Sequence, residues 1–468
     1  MLRLHNTLSR TKETFQPLTP GKVGLYVCGP TVYDFFHVGN ARTFTVFDLV
    51  VRWLRASGYE VKYVQNITDV DDKIIKRAGE AGEPIDALTE RLVAAFVEDS
   101  ARLGLLRPDV QPRATRYIQP MLDLIERLEE KKLAYRGRNR DVFYSVRDFP
   151  AYGKLSRRNL DELRAGERVA VEEAKNDPLD FVLWKAAKPG EPSWPSTYGP
   201  GRPGWHIECS AMACAELGAT IDIHGGGWDL QFPHHENEIA QSEGANGQTF
   251  ARYWMHAAFL NMGDEKMSKS LGNFFMTRDA LDQLDPVQGG EQLRFFLARG
   301  HYRSEISYTL ESLADAGNTL RGFYTTLREV PPSVVEERAG RVDNAIDWSN
   351  PYAKRFRDAM DDDFDTPIAG AVLHELRGEV NRSRSAKLSG LLKALGGTIG
   401  FLQADPAAFL KGGGSAGTSL DVDAKIRERE AARASKNFKR SDEIRKELEE
   451  AGIVLEDKPG GKTEWRRK

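Results

Sequence analysis

Residues 22–69, "KVGLYVCGPTVYDFFHVGNARTFTVFDLVVRWLRASGYEVKYVQNITD", contain the clearest pattern of strand and helix in the chain. The first of these, residues 22–30, predict a buried strand that a Gly-Pro pair closes. Apolar side chains then recur at helical spacing at Phe44, Phe47, Val51 and Leu54. Gly58 is suited to end this helix, and the β-branched and aromatic run after it predicts a second strand. A strand–helix–strand unit indicates a parallel sheet with helices on its faces.

Candidate ligand-binding residues lie where the predicted strands end. Ligands on open parallel sheets bind beyond the carboxyl ends of the strands. Cys28, the segment around His37, and Thr68 all occupy such positions. The α/β pattern returns in "IDIHGGGWDL" (221–230) and "FARYWMHAAFLNM" (250–262). We therefore expect an α/β fold with a Rossmann-like parallel-sheet catalytic domain.

Changes in composition along the 468 residues predict several domains. A chain of this length is typical of about three domains. A polar, basic excursion interrupts the α/β pattern, a helical region follows it, and a Gly/Ser-rich linker precedes the tail. The predicted parts are the first half of the catalytic domain (1–112), an inserted module (113–200), the second half of the catalytic domain (201–309), a helical-bundle domain (310–410), the linker (411–419) and a small C-terminal domain (420–468).

Charge and cysteine content narrow the functional class. The net charge is -3, so a nucleic-acid partner would have to be held by local basic patches. No apolar run suits a signal peptide or a membrane span, so we expect no membrane partner. There are three cysteines, Cys28, Cys209 and Cys214, which argues against a disulfide framework. These features favour a cytoplasmic protein whose cysteines are buried, catalytic or metal-bound.

The stretch "DLQFPHHENEIAQSE" (229–243) concentrates histidines and glutamates behind a proline. Pro233 suits the first turn of a helix. On such a helix His234 meets Glu238 one turn later, whereas His235 meets an isoleucine. A histidine and a glutamate in this relation can both bind one metal ion. The alternative is a helix start with acidic residues near its positive end, which requires no metal.

Two short motifs are suited to binding a nucleoside triphosphate. "HVGN" (37–40) lies between the first strand and its helix, where glycine permits close approach and the helix N-terminus attracts phosphate. "KMSKS" (266–270) carries two lysines three residues apart, which can clamp phosphates in a transition state. Taken singly, each is equally compatible with an ordinary loop histidine or an exposed basic loop.

Five ordered motifs together resemble one family. They are "LYVCGPTVYDFFHVGNAR", "YVQNITDVDDKI", "PGWHIECSAMA", "DIHGGGWDLQFPHHENEIAQSE" and "MSKSLGNF". With them the chain resembles the cysteinyl-tRNA synthetases, which are class I aminoacyl-tRNA synthetases, from about Leu4 to the C-terminus. One position departs from the class motif: Asn40 stands where that motif has histidine, although asparagine still offers a donor to the nucleotide.

The resemblance implies an activity and a set of nucleotide-binding residues. It implies a ligase that activates L-cysteine with ATP and Mg²⁺ and transfers it to tRNA(Cys), working as a monomer. It assigns ATP binding to His37, Gly39, Asn40, Lys266, Met267, Ser268, Lys269 and Ser270. Among these, it gives catalytic roles to His37, Asn40, Lys266 and Lys269.

The resemblance also implies one zinc ion in the amino-acid pocket. Its ligands would be Cys28, Cys209, His234 and Glu238. The choice of Cys209 over Cys214 rests on the resemblance, because spacing places the two on different sides of one helix and decides nothing further. Zinc binds thiolate with high affinity, so it would select cysteine over serine without a separate editing domain.

Further pocket residues follow from the same resemblance. It assigns substrate binding to Gly29, Thr68, Trp205 and Asp229, with the Asp229 carboxylate receiving the α-ammonium group. Trp205 is equally compatible with an ordinary core position, because tryptophan is heavily buried on average. The remaining nearby histidines are expected to orient zinc ligands; they are His206, His224, His235 and His256.

Two other functions compete with this interpretation. A ligase that joins activated cysteine to an amino-sugar would share the zinc pocket and both nucleotide motifs. A non-catalytic, zinc-stabilised RNA-binding protein would have a closed zinc site instead. The intact "HVGN" and "KMSKS" disfavour the second alternative. The first is disfavoured by "DDDFDTPIA" (361–369) and the basic tail, which resemble the anticodon-side regions of the synthetases.

Overall fold

The structure, a computed structural model, describes most of the chain. The described residues are 1–158, 174–263, 265–266, 275–333, 346–412, 422–457 and 463–467. Contacts between Cα atoms divide the chain into two compact units. The first comprises Met1–Thr277, Leu297–Tyr308 and Asp347–Ala371, and the second comprises Arg278–Phe296, Thr309–Ile346 and Val372–Lys468.

The secondary structure alternates strands and helices in the first part of the chain and is mainly helical later. The strands are β1 (Arg3–Asn6), β2 (Thr11–Thr14), β3 (Lys22–Val27), β4 (Glu60–Gln65), β5 (Ala134–Arg136), β6 (Val142–Tyr144), β7 (Phe181–Ala186), β8 (Gly201–Pro203), β9 (Ile221–Gly227), β10 (Ala251–Ala257), β11 (Leu260–Met262), β12 (Glu265–Lys266), β13 (Ile306–Tyr308), β14 (Ile453–Asp457) and β15 (Thr463–Arg467). The helices are α1 (Val38–Ala56), α2 (Asp72–Ala81), α3 (Ile85–Arg102), α4 (Ile118–Glu130), α5 (Trp205–Leu217), α6 (Glu236–Asn246), α7 (Thr277–Asp282), α8 (Gly289–Ala298), α9 (Leu310–Glu329), α10 (Pro351–Met360), α11 (Thr366–Ser383), α12 (Ala386–Thr398), α13 (Pro406–Lys411), α14 (Val422–Ala434) and α15 (Phe438–Glu450).

A parallel sheet with the strand order β10-β9-β3-β4 lies at the centre of the first unit. Leu25 in β3 pairs with Tyr63 in β4 and with Ile223 in β9, and all three side chains are buried. Helix α1 joins β3 to β4, and Gly58, at φ +92°, follows the residue that caps it. The predicted strand–helix–strand unit and the α/β fold class are confirmed.

Two glycines allow the backbone to pack closely at the carboxyl edge of this sheet. A Cβ atom on Gly225 in β9 would lie 2.2 Å from Phe47 in α1. A Cβ atom on Gly29 would lie 1.7 Å from the carbonyl oxygen of Asn66, and the Gly29 N–H donates to the Asn66 side chain at 2.8 Å. The loops after β3 and β4 therefore meet at one edge, which is where Cys28 lies.

Helix α1 is anchored by a buried arginine. Arg42 is 1% exposed, and its guanidinium donates to the carbonyl oxygens of Leu297, Gly300 and His301. Burial lowers the pKa of Arg42 to about 10, so the group stays charged at neutral pH. Since Arg42 lies two residues after Asn40, these bonds fix the start of α1 against the segment that leads to β13.

Smaller sheets complete the first unit. Strands β5, β6, β7 and β8 form an antiparallel sheet in that order, and β1 pairs with β2. Strand β11 pairs with β12 on one side and β13 on the other. The antiparallel β5–β8 sheet and α4 interrupt the parallel α/β pattern between β4 and β9. The domain boundaries given from the sequence stay a prediction.

One buried aspartate joins three separated segments of the first unit. Asp363 is fully buried at φ +67°. One carboxylate oxygen accepts the His5 backbone N–H and the Tyr302 hydroxyl, each at 2.7 Å. The other accepts the Arg303 Nε at 2.8 Å. This carboxylate therefore ties β1, the segment before β13 and the turn before α11 to one another.

The second unit is mainly helical. Tyr324 in α9 stacks on Phe409 in α13 with ring centroids 3.8 Å apart. Helices α14 and α15 form a hairpin whose small core is completed by the β14–β15 pair. There Arg429 donates to both carboxylate oxygens of Asp457, at 2.9 and 3.0 Å. The helical and C-terminal parts of the predicted fold class are confirmed.

Among the helices that the structure describes, none combines the length and the apolar composition that a membrane span needs.

Candidate active site and metal centre

A cavity of about 410 Å³ opens at the carboxyl ends of the parallel strands. The loop after β3, the start of α1, the turn after β9 and the end of β10 contribute to its wall. The predicted site residues that line it are Cys28, Gly29, His37, Gly39, Asn40, Trp205 and Asp229. Thr68 lies behind the wall at 2% exposure, and its hydroxyl donates to Glu208 at 2.7 Å.

The "HVGN" segment forms the N-terminus of α1. His37 is the N-cap residue, and its Nδ1 accepts the backbone N–H of Asn40 at 3.2 Å. A neutral imidazole with an accepting Nδ1 carries its proton on Nε2. A Cβ atom on Gly39 would lie 2.9 Å from Nδ1, so glycine allows the ring to fold back onto the helix. His37 therefore has an Nε2–H donor beside the cavity.

The backbone just after the "KMSKS" loop is attached to this helix start. The Val38 N–H donates to the Phe275 carbonyl at 3.0 Å, and the Thr277 N–H donates to the Phe36 carbonyl at 3.0 Å. The backbone of Lys266 lies in β12. The other predicted residues of the loop lie outside the described residues; they are Met267, Ser268, Lys269 and Ser270.

Beside the cavity, the structure brings together the four residues predicted to bind a metal. The donor atoms of Cys28, Cys209, His234 and Glu238 all lie within 4.8 Å of one another, and all four residues are buried. The Cys28 sulfur is 3.6 Å from the Cys209 sulfur and 3.5 Å from a Glu238 oxygen. His234 Nε2 is 3.0 Å from that same oxygen. This group could hold one metal ion.

A kink at Phe232 precedes the local helix. Within Gln231–His235 only Phe232 leaves helical dihedral angles, so Pro233 opens the helical turn that continues into α6 at Glu236. The one-turn relation between His234 and Glu238 persists, because both residues follow the extended residue.

The other two cysteines, Cys209 and Cys214, both lie on helix α5 but have different neighbours. Cys209 is 2% exposed and lies in the metal-binding group. Cys214 is only partly buried, and its sulfur lies 3.6 Å from the Asn246 side-chain nitrogen. Cys214 therefore belongs to the packing of α5 against α6.

Two histidines come closer to the metal-binding group than the sequence indicated. His224 Nε2 lies 2.8 Å from the second Glu238 oxygen, and His235 Nε2 lies 3.4 Å from the Cys28 sulfur. Cys28, His224, His235 and Glu238 therefore form a second group with metal-binding geometry. His235 Nδ1 in turn contacts His256 Nε2 at 2.9 Å.

Burial and neighbouring charges set the protonation of the first group. Burial raises the pKa of Glu238, but the charges of His224 and His234 outweigh it and hold that pKa well below its ordinary value. Burial also opposes ionisation of Cys209, yet hydrogen bonds with Cys28 and His234 lower its pKa to about 6. Burial and the Cys209 sulfur raise the pKa of Cys28. A carboxylate and a thiolate beside a second thiol form a donor set that a divalent cation neutralises.

Trp205 and Asp229 complete the wall near the metal-binding group. The Trp205 ring stacks on His234 with centroids 4.2 Å apart and is 38% exposed, so it is not an ordinary core residue. Asp229 follows β9, and a Cβ atom on Gly227 would lie 2.6 Å from its carboxylate. Glycine at that position lets the carboxylate lie close to the strand end.

Several wall residues were missed by the sequence reasoning. They include Tyr33, Thr43 and Lys73. The Lys73 ammonium lies 5.4 Å from the centre of the Tyr33 ring. Lys73 could have been predicted as a wall residue, because it follows the second predicted strand closely in sequence. Tyr33 and Thr43 flank "HVGN" in sequence, but nothing in their spacing distinguishes them from their neighbours.

Three family models match the chain. The model of the tRNA synthetases class I (C) catalytic domain matches residues 14–318, and the DALR domain matches residues 355–403. The cysteinyl-tRNA ligase anticodon binding domain matches residues 415–466. The cysteine–tRNA ligase of Ralstonia nicotianae is 58% identical over 100% of this chain and 99% of its own length. That of Methylobacillus flagellatus is 58% identical over 100% of both chains.

The chain belongs to the cysteine–tRNA ligase family. It is therefore a class I aminoacyl-tRNA synthetase, and the predicted family, enzyme class and function as a cysteine–tRNA ligase are confirmed. These matches favour the cysteine–tRNA ligase over the two alternatives, the amino-sugar ligase and the non-catalytic RNA-binding protein.

Solved structures agree on the fold of this cysteine–tRNA ligase. Mycobacterium tuberculosis methionyl-tRNA synthetase in complex with methionyl-adenylate matches with a TM-score of 0.56 at 16% identity. That match covers 81% of this chain and 89% of the other. The Agrobacterium radiobacter LeuRS–tRNA–LeuAMS complex matches with a TM-score of 0.57 at 10% identity, covering 82% and 84%. At these identities the likeness concerns the fold alone.

Proposed function

We propose that this enzyme activates L-cysteine with ATP and transfers it to tRNA(Cys), using one zinc ion held by Cys28, Cys209, His234 and Glu238. The observation that carries the proposal is the position of these four buried donors beside the catalytic cavity. Cys28 belongs both to the donor group and to the cavity wall. A metal held there would be reachable by a substrate side chain in the cavity.

The choice between the two possible metal-binding groups follows from donor chemistry. Both groups use Cys28 and Glu238. The first adds a second sulfur, from Cys209, and zinc binds thiolates tightly. In the second, the His224 nitrogen already lies in hydrogen-bond contact with one Glu238 oxygen. Cys28 and His234 lie against the other Glu238 oxygen, so His224 would orient Glu238 and leave that oxygen for the metal.

Bound in this group, zinc would lower the pKa of the substrate thiol and favour a soft thiolate over the hydroxyl of serine. The protein side chains would position the rest of the amino acid. Trp205, stacked on His234, would cover the side-chain pocket, while the Asp229 carboxylate would receive the α-ammonium group. Gly29 would line the substrate pocket where the loops after β3 and β4 meet, and Thr68 would support the wall through Glu208.

The nucleotide would bind at the start of α1, with Mg²⁺ accompanying ATP as substrate. The helix N-terminus favours negative charge, and the Nε2–H of His37 would donate to the phosphate that cysteine attacks. Gly39 and Asn40 would contact the nucleotide beside it. Lys266 and Lys269 would neutralise charge on the leaving pyrophosphate, with Met267, Ser268 and Ser270 completing that loop.

The partner in the second half-reaction would be tRNA(Cys). Support comes from the match of residues 415–466 to the anticodon binding domain of cysteinyl-tRNA ligases. Residues 425–468 carry more basic than acidic side chains, as contact with phosphate requires. We further propose that the enzyme works as a monomer in the cytoplasm.

Exchange of labelled pyrophosphate into ATP tests the proposed first half-reaction. The full-length enzyme is expected to catalyse this exchange with cysteine in the absence of tRNA, and not with serine, because adenylate formation needs only the cavity and its two nucleotide motifs. The second half-reaction is then tested with two acceptors, tRNA(Cys) and an amino-sugar. Exchange followed by transfer to the amino-sugar and not to tRNA would contradict the proposal.

Substitution of His224 tests whether this residue orients the proposed zinc ligand Glu238. In His224→Ala, one oxygen of the fully buried Glu238 loses its donor. We expect the dissociation constant for zinc to rise about 10–100-fold, as for other groups that orient metal ligands. Chelator competition measures it. His374→Ala is the control, because His374 contacts Phe323 in the second unit and lies outside both metal-binding groups of the described residues, so zinc affinity is expected to stay unchanged. Equal zinc affinity in both variants would refute the role.

A further inference from the structure

A second cavity lies next to the catalytic cavity in the first unit. Its volume is about 270 Å³, and it lies between α1, β4, α3 and the segment that follows α3. Phe44 lines both cavities. Ligand sites usually measure about 300–1,000 Å³, so this one suits a small molecule with a single ring. The reaction described above assigns no role to it.

The walls of the second cavity are largely aromatic and aliphatic. They include Phe44, Tyr63, Phe96, Leu105, Leu106 and Pro108. The rings of Phe44 and Phe96 meet edge to face, with centroids 5.6 Å apart. Aromatic walls of this kind favour a flat ring as the occupant.

Hydrogen-bond donors face the same space. Among the described residues, the Gln65 side-chain nitrogen and the Ser100 hydroxyl are buried without a hydrogen-bond partner. Gln65 is 4% exposed, and both residues line the cavity. A buried polar group without a partner costs about 1–3 kcal/mol, so an acceptor atom placed here would be favoured. Exposed Arg107 adds a cation to the lining.

One carboxylate also lines the cavity, and its charge is compensated. Asp48 accepts the Arg52 Nε at 2.8 Å with one oxygen and the Leu106 N–H at 2.6 Å with the other. Asp48 therefore does not exclude an anion. Two neutral donors, one cation and aromatic walls together match a small aromatic acid.

We propose that this cavity is a second small-molecule site, which binds an aromatic carboxylate of one ring. The ring would pack against Phe44 and Phe96, and the carboxylate would accept from Gln65, Ser100 and Arg107. The Phe44 ring lies 5.9 Å from Phe36, which immediately precedes His37. Occupancy therefore changes the wall beside the nucleotide end of the catalytic cavity. The site itself is independent of the proposed zinc ion.

Binding is tested with 4-fluorobenzoate and fluorine NMR on the full-length enzyme. We expect millimolar binding, with the neutral 4-fluorobenzyl alcohol binding more weakly. Ser100→Ala is expected to weaken 4-fluorobenzoate binding about fivefold through loss of one hydrogen bond. Val97→Trp fills the cavity from an exposed position and is expected to abolish binding. Val287→Trp, at another exposed valine, is the matched control. Equal binding by wild type and Val97→Trp, or none by wild type, would overturn the site.

Coupling to the reaction is tested by pyrophosphate exchange with saturating 4-fluorobenzoate. We expect the KM for ATP to change at least about twofold in wild type and to stay constant in Val97→Trp. Binding without any change in exchange would overturn the link through Phe44. An enzyme inactive in exchange without the probe would instead contradict the proposed function, so the two failures are distinguishable.

Discussion

Cys209→Ser is expected to remove stoichiometric zinc and to lower kcat/KM for cysteine in pyrophosphate exchange by more than about 100-fold. Mutation of residues that only orient metal ligands costs up to about 100-fold, and loss of a ligand itself is expected to cost more. Cys209 lies 3.6 Å from Cys28 in a group that is almost fully buried. A serine hydroxyl in its place stays protonated and is a poor zinc ligand. The remaining carboxylate would then lack the cation that neutralises it.

The matched control is Cys214→Ser on the same helix. Cys214 contacts Asn246 and lies outside both metal-binding groups of the described residues. Its replacement is expected to leave zinc content and exchange unchanged, with a small loss of stability. Metal analysis of the purified variants measures the zinc content of each. Zinc retained in Cys209→Ser, or lost in Cys214→Ser, would show that the ligand assignment is wrong.

Asp363→Ala is expected to lower the free energy of unfolding by about 3–5 kcal/mol, as expected when one member of a buried charged group is removed. The carboxylate accepts from His5, Tyr302 and Arg303 at 2.7–2.8 Å. Without it, the buried N–H of His5 and hydroxyl of Tyr302 lose their partner. Alanine is also disfavoured at the positive φ of this position.

Two further variants separate the causes of that loss. Asp363→Asn keeps the shape and tolerates positive φ, but it removes the charge and turns one acceptor oxygen into an NH2 donor, so the smaller loss expected for it measures these two changes together. Asp362→Ala removes the neighbouring carboxylate, which is 49% exposed and pairs with Lys12 at the surface. Its effect is expected to stay below about 1 kcal/mol. Urea unfolding followed by circular dichroism measures all three, and equal losses in Asp362→Ala and Asp363→Ala would contradict this role for Asp363.

The sequence predicted those features that depend on local periodicity. The alternation of strand and helix in residues 22–69 places Cys28 and His37 at one edge of the sheet. The one-turn spacing of His234 and Glu238 likewise places both side chains on one face, and their atoms lie 3.0 Å apart. Cys209 could not be chosen over Cys214 by spacing, because the decision depends on which face of α5 meets β3.

Tertiary contacts account for what the sequence could not predict. The Glu238 partner His224 lies on β9, so only the packing of α6 against the sheet brings them to 2.8 Å. Asp363 depends on partners up to 358 residues away. The kink at the extended Phe232, just before Pro233, is likewise not revealed by helix propensity. The positions of the motif residues were thus predictable from the sequence, whereas the side chains that orient those residues were not.

Zinc K-edge X-ray absorption of the full-length enzyme, with and without cysteine, tests most directly whether zinc binds the substrate thiol. Cys28 and Cys209 would provide two sulfur donors, so the zinc-loaded enzyme without cysteine is expected to show two Zn–S distances of about 2.3 Å. Cysteine is expected to add a third sulfur at that distance, and serine none. An unchanged sulfur count on saturation with cysteine would contradict the proposed bond between zinc and the substrate thiolate, because the metal would then be structural and closed to the substrate.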